Sequence, residues 1–142
     1  MTILSEQRII QKLNSGELDI EPFSRESLQP ASYDLRAAQK TEIKNHTLLH
    51  TKENVEFSKN IAGIVRMRSS LAREGIFFSG GYIDPGYKGN ITLSLANLSE
   101  EPVTLEEGEG VANLVFFRVE GETSGYSGKY QGSIGKVDSK RK

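Results

Sequence analysis

The 142 residues, 36% hydrophobic and 26% charged, suffice for one domain with an ordinary core and leave little for a second. Eighteen Lys and Arg against nineteen Asp and Glu give a net charge of −1, which encodes no global pull toward nucleic acid or an anionic membrane. Cysteine is absent, so disulfides, thiol nucleophiles, iron–sulfur clusters and thiolate zinc sites are excluded together.

Residues 4–16 read as one short helix: Ser5 suits its N-cap, Glu6 its positive end, and Gly16 its stop. Leu4 and Ile9 are spaced to form a staple across that cap. After Pro22 the character changes to short apolar or alternating runs separated by Gly, Pro, Asn and Ser, the pattern of an all-β barrel or sandwich. The clearest predicted strands are 60–67, 76–78, 90–97, 102–105 and 111–119. Within the fourth of the chain around residue 93, Ile91, Leu93 and Leu95 alternate with Thr92 and Ser94, so the aliphatics face the core and the hydroxyls the other side. The domain is therefore expected over 1–120. Residues 121–142, rich in glycine and poor in aliphatics, are expected to form a flexible C-terminal arm. No apolar run approaches the roughly 20 residues of a membrane span, which predicts a cytoplasmic protein without a membrane or nucleic-acid partner.

Four segments mix small residues with fixed charge. Pro30-Ala31-Ser32-Tyr33-Asp34-Leu35-Arg36 sets an acid inside an apolar strand. Arg68-Ser69-Ser70-Leu71-Ala72-Arg73-Glu74-Gly75 offers two guanidinium groups, two hydroxyls and the amides of a short helix start, suited to phosphate oxygens. The third, Gly80-Gly81-Tyr82-Ile83-Asp84-Pro85-Gly86-Tyr87-Lys88-Gly89, is a glycine-bounded hairpin with a central carboxylate. Gly125-Tyr126-Ser127-Gly128-Lys129-Tyr130-Gln131-Gly132 supplies aromatic rings and a cation on the arm. Taken singly, turn chemistry explains each of them. His46 and His50 lie four apart with no acid between them and read as strand or loop residues rather than a metal site. The basic tail of Lys136, Lys140, Arg141 and Lys142 reads as solvated.

In their order, these segments resemble the superfamily of dUTP diphosphatases and of the dCTP deaminases that share their fold. Residues 31–36 look like its first motif, 68–73 the second, 83–89 the third, 108–116 the fourth and 127–132 the closing arm, so the likeness runs over about 29–132. It implies an all-β, distorted barrel or jelly-roll-like dUTPase-type fold with a short N-terminal helix, assembled as a homotrimer with shared active sites. By the same resemblance, Asp84 orients or deprotonates a water, Tyr87 packs against deoxyribose, and the backbone of Gly81, Tyr82 and Ile83 reads the pyrimidine. Arg68, Ser69 and Arg73, in part from a neighbouring subunit, hold phosphates, Ser70 and Asn113 also bind substrate, and Tyr126, Lys129 and Tyr130 close over it. Mg²⁺ is implied on the triphosphate, with Asp34 reaching it through water.

The wording Arg-Ser-Ser-Leu-Ala-Arg, Ile-Asp-Pro-Gly and Lys-Tyr-Gln-Gly is closer to the deaminase branch. In that branch, however, a glutamate follows the hairpin in the pattern Ile-Thr-Leu-Glu and shuttles protons, whereas this chain reads Ile91-Thr92-Leu93-Ser94. A serine hydroxyl cannot perform that shuttle by itself. Asn113 and Ser133 also stand where the family usually carries Gln. The resulting expectation is a dUTP diphosphatase releasing dUMP and pyrophosphate. The alternatives are dCTP deamination, alone or coupled to dUTP cleavage, and a nucleotide-binding homologue without turnover.

Overall fold

Ser5 caps the first helix as its spacing predicts: its hydroxyl accepts from the Arg8 amide at 3.3 Å, and the helix ends at Gly16 in the left-handed region, φ 81°. Leu4 and Ile9, on either side of the cap, are both buried. The computed structural model describes residues 2–141. In chain order the elements are α1 (Glu6–Ser15), β1 (Leu18–Glu21), a 3₁₀ turn (Arg25–Ser27), β2 (Leu28–Gln29), β3 (Ser32–Arg36), β4 (Thr41–Ile43) and β5 (His46–Phe57). There follow β6 (Ile61–Met67), α2 (Ser69–Arg73), β7 (Ile76–Phe77), β8 (Gly81–Ile83), β9 (Lys88–Asn97), β10 (Val103–Leu105) and β11 (Gly110–Arg118).

The all-β expectation holds, as three sheets rather than a closed barrel. One sheet runs β1-β5-β9-β7, a second β2-β3-β11-β6-β8, and β10 pairs with β4 in a third. Ile91, Leu93 and Leu95 of β9 point into a core shared with Leu49 and Val55 of β5 and with Val65, Leu114 and Phe116 of the facing sheet. Thr92 and Ser94 lie on the opposite face, as the alternation requires.

The longest strand, β5, is the one the sequence pattern conceals. A register shift between His50 and Asn54 interrupts its pairing with β9, while the in–out alternation continues through Thr51, Glu53 and Val55. Inside that interruption sits Glu53, a carboxylate with no exposed surface. Its Oε1 accepts from Arg36 Nε at 2.6 Å and its Oε2 from the Arg36 amide at 3.0 Å. The Glu53 carbonyl receives Thr51 Oγ1 and Asn90 Nδ2. These contacts tie β3 to β5 and β9, so a charge that would be costly alone is fully partnered.

In this structure the C-terminal arm is docked rather than free. It has no helix or regular strand, yet the Gly132 amide bonds Lys88 O, Asn90 N bonds Ser133 O, and Val137 N bonds Thr92 Oγ1. Side-chain and main-chain polar groups thus hold what so few aliphatics could not. Gly89 makes the approach feasible: at φ 151° a Cβ there would stand 2.8 Å from both the nitrogen and the oxygen of Ser133. No helix among the described residues is long and apolar enough to cross a membrane.

Candidate functional site

The segment predicted as a hairpin instead joins strands of two different sheets, β8 pairing with β6 and β9 with β5 and β7, and this hairpin-like turn builds one wall of a cavity of about 470 Å³. Gly81, Ile64's partner Tyr82, and Ile83 pair antiparallel with β6, which fixes the hairpin to the sheet. The turn closes where Tyr87 N meets Asp84 O at 3.2 Å. Tyr87 then folds back: its hydroxyl donates to Asn90 O at 2.7 Å and its ring meets Tyr126 of the arm edge-on, centroids 5.6 Å apart. Burial pushes the Tyr87 phenol above its ordinary range, so it stays a neutral packing and hydrogen-bonding group.

Of the residues expected at the site, Gly81, Tyr82, Ile83, Asp84, Tyr87, Tyr126 and Tyr130 all line this cavity. Tyr82 is 64% exposed, a large apolar surface presented at the cavity's mouth. Lys129 does not line it, since its Nζ donates to Lys140 O at 2.9 Å. The arm packs across the opening through Gln131, whose amide bonds Lys88 N, Gly86 O and Tyr126 O.

The remaining expected residues gather elsewhere. Arg68 lies beyond the end of β6, and its Nη1 donates to Gly110 O at 3.3 Å. A Cβ at Gly110 would fall 2.6 Å from that Nη1, so a larger residue here would displace the guanidinium from its seat. Ser69, Ser70 and Arg73 follow on α2, and Ser69 lines a second hollow together with Asn113. Asn113 Nδ2 donates to Asp34 Oδ1, while Gln29 Nε2 donates to Asp34 Oδ2 at 3.4 Å. Both Asp34 oxygens are thus already engaged by amides, and no group of three or more His, Asp or Glu converges among the described residues.

The two clusters stand apart within one chain. Arg68, just past the end of β6, stands five residues from Gly63, the partner of Ile83, and three from Val65, the partner of Gly81, roughly 16 and 10 Å at the usual rise. Ser133, which departs from the family's glutamine, is buried and bridges to Gly89 as part of the docked arm.

Sequence reasoning missed His46. It projects from β5 on the outer face, lines the same cavity, and its Nε2 lies 2.7 Å from Ser94 Oγ. The 48 residues between the two hide the contact. Pairing 46–50 against 92–96 would have placed them together, since Leu48 stands opposite Ser94. His50, on the same face, is held below its usual titration range by burial and by the charge of Lys136.

A family model described as dCTP deaminase-like matches residues 3–47 and 43–119. A dCTP deaminase of Pyrococcus horikoshii is 44% identical over 144 residues, spanning 89% of this chain and 92% of the relative. A dCTP deaminase described as dUMP-forming, from Aquifex aeolicus, is 30% identical over 169 residues, spanning 97% and 94%. Among solved structures, the 2′-deoxycytidine 5′-triphosphate deaminase of Agrobacterium tumefaciens superposes with a TM-score of 0.70 at 18% identity, over 82% of this chain and 47% of that one. The EIAV dUTPase gives 0.62 at 23% identity, over 80% and 98%, which speaks for a shared fold alone. These relatives overturn the expectation of a dUTP diphosphatase. That expectation weighed Ser94 as an isolated hydroxyl, whereas in the fold an imidazole stands against it.

Proposed function

The chain belongs to the dCTP deaminase-like family, and from that premise we propose that it hydrolyses the 4-amino group of dCTP, releasing ammonia. The observation that carries this reading is the cavity under the hairpin, whose size suits a nucleoside and whose walls combine aromatic rings with backbone polar groups. The pyrimidine edge is read by the backbone of Gly81, Tyr82 and Ile83, where two neighbouring glycines permit a close approach. Asp84 holds the sugar and a water at the turn, Tyr87 stacks under the deoxyribose, and Tyr126 and Tyr130 shut the cavity from the arm.

The triphosphate falls to Arg68, Ser69, Ser70, Arg73 and Asn113. Guanidinium groups match phosphate geometry and neutralise its charge. We propose that these phosphate residues serve the cavity of a neighbouring copy in a homotrimer, as the family resemblance implies. Mg²⁺ suits this site only as an ion carried by triphosphate oxygens and water, with Asp34 held back by its two amide partners. Lys129 reaches phosphate only by leaving Lys140.

The test is incubation of the purified protein with dCTP and magnesium, with ammonia and all nucleotide products identified. Ammonia released in step with dUTP is the expected result. dUMP with pyrophosphate, as the Aquifex relative's name describes, would add cleavage to deamination. Consumption of dCTP without ammonia, or none at all, would refute the reading.

A further inference from the structure

We propose that Ser94 and His46 act together as the proton relay of the deamination, an inference that rests on the reading above. Hydrolytic removal of an amino group needs a group that takes a proton from water and returns it to nitrogen. A hydroxyl alone does neither at neutral pH, but a hydroxyl hydrogen-bonded to an imidazole does, as in other nucleophile–base pairs. Here Ser94 Oγ and His46 Nε2 are 2.7 Å apart, both line the cavity beneath the hairpin, and both project from adjacent strands on the face opposite the core. His46 is an exposed residue and has no role in packing. With its ring proton on Nδ1, Nε2 accepts from the serine hydroxyl, leaving the serine oxygen free to accept from a water.

The step balances without any further reactant. The water oxygen bonds to C4 of cytosine, the C4=N3 electron pair moves to N3, and the water's proton passes through Ser94 and His46 to N3. The new C4 hydroxyl then gives its proton to the same relay, which delivers it to the amino nitrogen. The C4–N bond breaks with its pair on nitrogen, ammonia leaves, and C4=O forms.

The charged and titratable groups around His46 come from three elements. The hairpin contributes Tyr82, Asp84 and Tyr87, and the arm Tyr126, Tyr130 and Asp138. On its own strand His50 lies four residues along, with Lys136 of the arm acting on it. None of these is hydrogen-bonded to His46; Ser94 alone is.

The experiment measures ammonia release from dCTP across pH for the wild type, His46→Gln, Ser94→Ala and the double variant, with melting temperature and KM recorded for each. The relay predicts that each single change lowers kcat by roughly 10²-fold or more while KM stays within about threefold. The double variant should fall no further than the worse single one, and the acid limb of the wild-type profile should vanish in His46→Gln. Wild-type kcat and an unchanged profile in His46→Gln, or fully additive losses, would overturn the relay and leave deamination standing. A wild type that releases no ammonia would remove the reading and the relay together.

Discussion

The hairpin face and the Arg68 cluster are built from opposite materials. On the hairpin side, the walls set aromatic rings and a few aliphatics among polar side chains, His46, Asp84, Asn90, Thr92 and Ser94 with them, and the chain's own arm lies across the opening. Around Arg68, the surface is open and hydroxylic, with a guanidinium seated over Gly110 and an amide–carboxylate contact between Asn113 and Asp34. An apolar, enclosed hollow discriminates by shape and by desolvated hydrogen bonds, whereas an open cationic one attracts charge without reading much of its bearer. The division fits the proposed ligand, with an aromatic base at one end and a polyanion at the other.

Glu53 stands between the two regions, so its loss is the largest expected effect and the way to break the distinction altogether. Its carboxylate binds Arg36 at the end of the strand that carries Asp34, and its carbonyl binds Asn90 beneath Tyr87. Glu53→Gln leaves the partly buried Arg36 guanidinium unpaired, and breaking a buried pair from one side costs about 3–5 kcal/mol. Calorimetry should show a melting temperature lower by roughly 10 °C, with both dCTP turnover and nucleoside binding reduced. A variant as stable as the wild type would mean that the two halves are held together by something else.

Next in size is Arg68→Ala, which separates the regions cleanly. A charge-assisted contact to phosphate is worth about 1.5–3 kcal/mol, so KM for dCTP should rise roughly 10- to 100-fold. Inhibition by deoxycytidine, which lacks phosphates, should be unaltered. Mixing Arg68→Ala with Asp84→Asn subunits should recover part of the activity that both lack, because a mixed trimer rebuilds an intact site from one copy of each. Equal losses for triphosphate and nucleoside would put Arg68 outside the phosphate half, and no recovery on mixing would place Arg68 and Asp84 of each site in one copy.

How much of this was legible in the sequence follows from the range of the forces involved. α1 was readable because its cap, staple and stop lie within 13 residues and are satisfied locally. The inward face of β9 was readable because Ile91, Leu93 and Leu95 keep a strict period of two. β5 was not, since its inward positions include Thr51 and the buried Glu53, which make a core segment look polar. His46 was dismissed as half of a metal pair when its real partner is 48 residues away on another strand. The docking of the arm was also invisible: its hold is a set of hydrogen bonds to Lys88, Asn90 and Thr92, which leave no trace in composition.

The smallest expected effect tests whether that arm lies on the hairpin side in solution. His50 is held below its usual range first by burial and then by the Lys136 charge on the arm. Reversing that charge with Lys136→Glu should raise the His50 midpoint, read from its imidazole resonances by NMR. The linkage has a definite sign. With the folded value depressed below the unfolded one of about 6.5, the unfolded chain takes up the proton first, so stability declines as pH falls through that value. Lys136→Glu should therefore flatten the decline in melting temperature as pH falls below about 6.5. An arm that samples solvent would keep Lys136 away from His50, and then neither the resonance nor the melting curve would respond to the reversal.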